Sequence, residues 1–230
     1  MNLFAGSSVV IRHCKAAPRI SIGARLVADL LVTAGAGRVL TMTLHSPQVH
    51  GFFSVPVDHL NALRELAAHF SRHDLSDAVV VSPDLGYAKQ AAAFARLLGL
   101  PVAFGAKQRQ SDDSVTISSV IGEVAGRDVI VLDDEIARGT TVLELLERLR
   151  EHNVRSIRVA CTHGLFADGA LERLNAQPDV LEIVCTNTVP APVDGFDGKT
   201  TVLSVAPMLA EAIRRIHHGE SVSALFVAGS

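Results

Sequence analysis

The residues whose types and spacing are best suited to chemistry form one stretch, Val129-Ile-Val-Leu-Asp-Asp-Glu-Ile-Ala-Arg-Gly-Thr-Thr-Val142. Four apolar residues make a buried strand, Asp133 and Asp134 put two carboxylates at its end, and Ala137, Arg138, Gly139, Thr140 and Thr141 open a helix. Backbone N–H groups at a helix start, with small side chains and hydroxyls around them, receive a phosphate dianion. The two acids would repel that phosphate. They can, however, accept hydrogen bonds from the vicinal hydroxyls of a sugar, or hold the water shell of a metal. Phosphate and diol together mean a sugar phosphate. Taken apart, an Asp pair at a strand end is turn chemistry and Gly-Thr-Thr is an ordinary helix start. Their succession directly after an apolar strand is what points to a ligand.

Composition narrows the choice of partner. The chain has 230 residues, 48% hydrophobic and 20% charged, with a formal net charge of −3. That composition buries a sizeable core and excludes intrinsic disorder. With no block of like charges and only 4% aromatics, neither an electrostatic grip on nucleic acid or membrane nor a base-stacking platform is expected. Three widely spaced cysteines (Cys14, Cys161, Cys185) suit a reducing compartment and offer no zinc framework. No apolar run reaches the roughly 18–20 residues of a membrane span, and a cytoplasmic address is expected.

Such residues need a scaffold, and its pattern is legible. Apolar strand runs at 39–44, 78–81, 102–104, 129–132, 157–161, 181–185 and 201–203 alternate with helical patterns at 22–31, 60–70, 86–98, 141–152, 167–175 and 207–217. This alternation predicts an α/β fold, a mostly parallel sheet with helices on both faces. Ligands then bind beyond the carboxyl ends of the strands. Three strands run there into polar residues: Leu44 into His45, Val81 into Ser82-Pro83-Asp84, and Leu132 into Asp133-Asp134. The segment 107–114 reads as a polar turn. By themselves Lys107 and Arg109 read as a solvated loop, and His45 as a satisfied polar residue at a strand end.

The stretch Leu132-Asp-Asp-Glu-Ile-Ala-Arg-Gly-Thr-Thr141 resembles the phosphoribosyl-diphosphate (PRPP) motif of type I phosphoribosyltransferases. The remainder is similar to one branch of that fold, the ribose-phosphate diphosphokinases, or PRPP synthases. Segments carrying the likeness include Arg38-Val-Leu-Thr-Met-Thr-Leu-His45, Gln48-Val-His-Gly-Phe-Phe53, Val80-Val-Ser-Pro-Asp84, Thr162-His-Gly164, and the closing run from Ala212 to Phe226. The likeness is nearly continuous over 19–226. It implies transfer of the β,γ-diphosphoryl group of ATP to the anomeric hydroxyl of ribose 5-phosphate, with Mg²⁺. It further implies that Asp133, Asp134 and the loop Ala137, Arg138, Gly139, Thr140 and Thr141 hold the sugar phosphate. Lys107 and Arg109 match a catalytic-loop pair, His45 and Asp84 match Mg²⁺ ligands, and Arg12, Lys15 and Arg19 are the cations left to meet ATP.

The chain also departs from that pattern. Its phosphate loop opens with Ala137 in place of Asp, and Thr43, Ser54 and Asn187 stand where the family usually has Asp. Residues 1–58 read as the remnant of an N-terminal phosphoribosyltransferase-like domain, and 59–230 as the domain carrying the PRPP motif. A shortened sheet is expected to expose apolar surface, hence homo-oligomerisation or assembly with a full-length homologue. Two alternatives to a PRPP-forming enzyme stay open: a phosphoribosyltransferase that consumes PRPP, and a non-catalytic partner of an intact PRPP synthase.

Overall fold

The structure, a computed structural model, describes residues 23–109, 115–190 and 198–225. The chain divides into two compact units, Met1–Asn61 and Ala62–Ser230.

In the first unit, helix α1 (Gly23–Thr33) precedes strand β1 (Val39–Met42) and strand β2 (Val57–Leu60). The two strands pair in parallel, Val39 opposite Val57. Here β1 stops two residues short of the expected strand 39–44. The cause lies at Thr43, whose φ of 41° belongs to the left-handed region that a β-branched residue rarely enters. Its N–H donates instead to the Leu60 carbonyl at 2.8 Å.

The second unit starts with helix α2 (Leu63–Phe70) and strand β3 (Ala78–Ser82), then helix α3 (Ala88–Leu98), strand β4 (Val102–Arg109) and strand β5 (Val115–Ile121). Strand β6 (Asp128–Ile136), helix α4 (Thr140–Glu151), strand β7 (Ser156–Gly164), helix α5 (Ala170–Asn175), strand β8 (Val180–Thr186), strand β9 (Thr200–Leu203) and helix α6 (Ala206–His217) follow. Seven strands form one sheet in the order β5-β4-β3-β6-β7-β8-β9, parallel except for the β4–β5 pair.

Alternation along the central strands builds two cores. Val79, Val81, Val129, Val131, Val159 and Ile183 face α4 and α5, which return Leu145, Leu146, Leu149, Leu171 and Leu174. The intervening Val80, Ile130, Leu132, Ala160 and Val184 share the opposite core with Leu66, Phe70 and Phe94 of α2 and α3. A sheet buried on both faces requires continuous apolar strands, which is why these runs lack a polar alternate. The α/β fold with helices on both faces is the one expected.

Two expectations need correction. The segment expected to turn from 107 to 114 is a strand as far as Arg109, and β4 pairs antiparallel with β5, Lys107 opposite Ile117 and Arg109 opposite Val115. Charged residues are admitted because β4 leaves the buried sheet and pairs only with an edge strand. The β-branched run Val115-Thr-Ile-Ser-Ser-Val-Ile121 was the signal for β5. Second, the expected helix at 60–70 begins at Leu63, because Val57–Leu60 is the strand β2.

Gly105 of β4 packs on the chain after β3: a Cβ there would sit 2.5 Å from the Pro83 carbonyl oxygen. Backbone against backbone cannot swing aside. Gly105→Ala is therefore expected to destabilise by about 1–3 kcal/mol, read as a fall in melting temperature of roughly 2–10 °C.

Candidate functional site

The order of strands fixes where a ligand can sit. From β3 the chain crosses to β4 on one side, whereas from β6 it crosses to β7 on the other. The crevice beyond the carboxyl ends of β3 and β6 is thus a topological switch point, where open α/β sheets bind ligands. Val81 of β3 lies opposite Val131 of β6. Asp84 and Asp134 each stand three residues farther on, so the same edge carries Asp84, Asp133 and Asp134.

The acid pair lies inside β6, which runs on to Ile136. The Asp133 carboxylate accepts from the Asp134 N–H at 2.9 Å, and the Asp134 carboxylate from the Glu135 N–H at 2.9 Å. Burial, then the charge of Asp134 and a shared proton with it, and finally Asp84, push the Asp133 carboxyl up to about 8. Asp84 caps the short 3₁₀ turn Leu85–Tyr87, its Oδ1 accepting from the N–H groups of Gly86 (2.8 Å) and Tyr87 (3.3 Å).

The loop into α4 is open where a phosphate would enter. Gly139, with φ 69°, is the residue before the helix, and no side chain caps that helix start. The first N–H groups of α4 therefore have no acceptor from within the helix. A side chain at Gly139 would be strained by the φ of 69°, although its Cβ would meet Ala170 only in ordinary contact at 3.4 Å. Arg138 and Thr140 are exposed and Ala137 and Thr141 half-buried, so among the described residues nothing covers the turn. Arg138 turns outward to Asp168, 2.9 Å away in an exposed pair.

The loop is held from behind by groups that sequence reasoning missed. The N–H groups of Leu165 and Phe166 donate to the Ile136 carbonyl at 3.0 Å, and that of Ala167 to the Ala137 carbonyl at 2.9 Å. Arg173 donates through Nη2 to the Arg138 carbonyl at 2.6 Å. Phe166 and Asp168, at φ 47° and 54°, absorb strain in the supporting segment. Tyr87 was missed too. It packs against the α2–α3 core, and burial and then the charges of Asp134 and Asp133 hold its phenol well above the usual range. Nothing in its flanking sequence marked it.

The other expected residues fall less together. Lys107 and Arg109 sit on β4, but their side chains lie outside the described residues, as do Arg12, Lys15 and Arg19 entirely. His45 is exposed in the first unit, beyond β1, whereas Asp84 belongs to the second. Cys161 and Cys185 are core residues, 0% and 1% exposed, and burial raises both thiols, Cys185 to about 12.

Comparison with known proteins identifies the family. Residues 116–227 match the family model of the phosphoribosyl synthetase-associated domain. The chain is 77% identical over 212 residues to a "Putative ribose-phosphate pyrophosphokinase" of Streptomyces coelicolor, covering 92% of this chain and 67% of that one. It is 48% identical over 217 residues to the ribose-phosphate pyrophosphokinase of Deinococcus radiodurans, covering 92% and 68%. The chain belongs to the ribose-phosphate pyrophosphokinase family. A crystal structure of phosphoribosylpyrophosphate synthetase from Mycobacterium smegmatis superposes with a TM-score of 0.79 at 41% identity, over 87% of this chain and 65% of that one. The chain thus spans about two thirds of the length of these family members. Among the described residues, no helix is long and apolar enough to cross a membrane.

The raised Asp133 carboxyl has a consequence for stability. An unfolded chain releases this proton above about pH 4, whereas the folded one keeps it to about 8. Folding is therefore penalised progressively from pH 4 to 8, fully above 8 and not at all below 4. Asp133→Asn removes the penalty. In magnesium-free buffer its melting temperature is expected to exceed that of the parent by about 4 °C or more at pH 8.5, with a smaller gain at pH 5, measured by calorimetry.

Proposed function

We propose that this protein transfers the diphosphoryl group of ATP to ribose 5-phosphate, giving PRPP for nucleotide synthesis in the cytoplasm. The observation that carries this reading is the uncapped start of α4 directly beyond Asp133 and Asp134, in a chain 77% identical to a family member. The 5-phosphate is received by the first N–H groups of α4 and the hydroxyls of Thr140 and Thr141. The vicinal hydroxyls donate to the Asp133 and Asp134 carboxylates, which orients the furanose. The anomeric oxygen then attacks the β-phosphorus of ATP, the α–β anhydride bond breaks, and AMP leaves.

Lys107 and Arg109 suit the negative charge spread over the transferring oxygens. A cation is called for as well. Burial first, and then the charges of Asp134 and Asp84, keep a proton on Asp133 to about 8, and a hard divalent ion suits carboxylate oxygens at that edge. Asp84 is the residue of this unit proposed to hold Mg²⁺, which would neutralise the polyphosphate, and His45 is the other ligand that the family resemblance implies. Arg12, Lys15 and Arg19 are the groups proposed for ATP. Assembly into a homo-oligomer, or with a full-length homologue, suits the exposed Leu26 and Leu30 of α1, 62% and 59% accessible.

Two measurements test the reading. Ribose 5-phosphate at one hundred times its Kd stabilises by about 2.7 kcal/mol, a rise of roughly 5–10 °C in melting temperature, and Thr141→Ala is expected to cut that rise by more than half. With ATP, ribose 5-phosphate and Mg²⁺, the purified chain is expected to form AMP and PRPP, and Lys107→Ala to lose at least ~10²-fold in rate. Diphosphate release from PRPP and a base, without AMP formation, would instead identify a phosphoribosyltransferase. Silence in both assays with an intact thermal shift would identify a non-catalytic partner.

A further inference from the structure

Away from the carboxyl edge, α2 carries His69 and His73 four residues apart, so both imidazoles project from one helical face. Glu182 of β8 lies between them. Its Oε1 is 2.8 Å from His69 Nε2, and its Oε2 is 3.4 Å from His73 Nε2. Each residue contributes one ligand atom to a group whose members all lie within 4.8 Å of one another. The three side chains are 15%, 29% and 16% exposed. Thr201 Oγ1 donates to Oε1 at 3.0 Å, but the buried Oε2 has no hydrogen-bond partner among the described residues. A buried carboxylate oxygen left so asks for a cationic or donor partner.

We propose that His69, His73 and Glu182 bind one divalent transition-metal ion of the zinc class. Two imidazoles and a carboxylate are a donor set suited to Zn²⁺, Co²⁺ or Ni²⁺ and poorly suited to Mg²⁺. Bonds of about 2.0–2.2 Å in a tetrahedron separate the donor atoms by roughly 3.3 Å; here the imidazoles stand 2.8 and 3.4 Å from the two oxygens of one carboxylate, and the whole donor set lies within 4.8 Å. His73 and Glu182 also line an open hollow of about 320 Å³ together with Arg158, Lys199 and Thr201, so water reaches two of the three donors. Lys199 does not compete with the ion, because its Nζ donates to the Gln177 carbonyl at 2.7 Å.

Without metal, His69 Nε2 carries a proton, since the carboxylate oxygen 2.8 Å away only accepts. The ion takes the two Nε2 lone pairs and one carboxylate oxygen, and the displaced proton passes to Nδ1 or to solvent. Glu182 is the third residue of β8 and lies opposite Arg158, the third residue of β7. The centre thus ties α2 to β8 near the amino ends of the strands, opposite the edge that bears the acids. It is a structural or regulatory ion, not a participant in group transfer.

The decisive experiment is titration of the metal-stripped full chain with Co²⁺. With excess Mg²⁺ present to fill the carboxylate edge, one equivalent of Co²⁺ is expected to bind with the intense visible absorption of tetrahedral cobalt, to be displaced by Zn²⁺, and to raise the melting temperature. His69→Gln and His73→Gln should each weaken binding at least tenfold and abolish the band, whereas substitution of the exposed His152, His152→Gln, should leave both unchanged. Should His69→Gln fail to fold, the more exposed His73→Gln still decides. No visible band, or equal binding by the variants, would overturn the proposal and leave a hydrogen-bonded His–Glu–His clip. Thiolate-to-cobalt charge transfer in the near ultraviolet would also overturn it, by assigning the ion to a cysteine.

Discussion

Burial of carboxylates at the end of a sheet, and after it their mutual repulsion, is the constraint on which the rest of this protein depends. Parallel pairing of β3 with β6 sets Asp84 and the Asp133–Asp134 pair at one edge, and burial denies them the water that would screen their charge. The fold answers in part with backbone N–H groups, two for Asp84 and one for each of the pair. What those hydrogen bonds leave is visible in the raised Asp133 carboxyl. Sugar hydroxyls and a divalent cation are the partners that relieve such a site, and the open helix start beside it takes the opposite charge. One end of the ligand is thus drawn by amides and the other by acids, which orients it.

Keeping the amide cradle open is a separate task, carried out from behind. Main-chain donors from 165–167 and the Arg173 guanidinium hold the carbonyls of Ile136, Ala137 and Arg138. With its carbonyls so engaged, the loop presents its N–H side to solvent. The strained φ values of Phe166 and Asp168 are tolerated because Phe166 is buried, its ring lying over Gly164.

Much of this was legible in the sequence, and the reasons are physical. Continuous β-branched runs such as Ala78–Ser82 gave the central strands, since only burial on both faces tolerates them. Asp133, Asp134 and the Gly139-Thr140-Thr141 start were legible because their chemistry is local to one strand–loop–helix unit. Less legible was whatever depends on tertiary contact. Tyr87 meets the acid pair only through the pairing of β3 with β6, and Arg173 reaches Arg138 across 35 residues of chain. The antiparallel β5 was hidden because polar residues flank it at an edge where patterning weakens. The end of β1 at Thr43 follows from a backbone angle that no composition signals.

The most direct test of the central claim is a titration of the ¹⁵N-labelled protein with ribose 5-phosphate, followed by amide chemical shifts. The amide cradle predicts saturable shifts centred on Arg138, Gly139, Thr140 and Thr141, accompanied by those of Asp133 and Asp134, with the amides near Glu182 unmoved. Saturable shifts elsewhere while 138–141 stay still would contradict it.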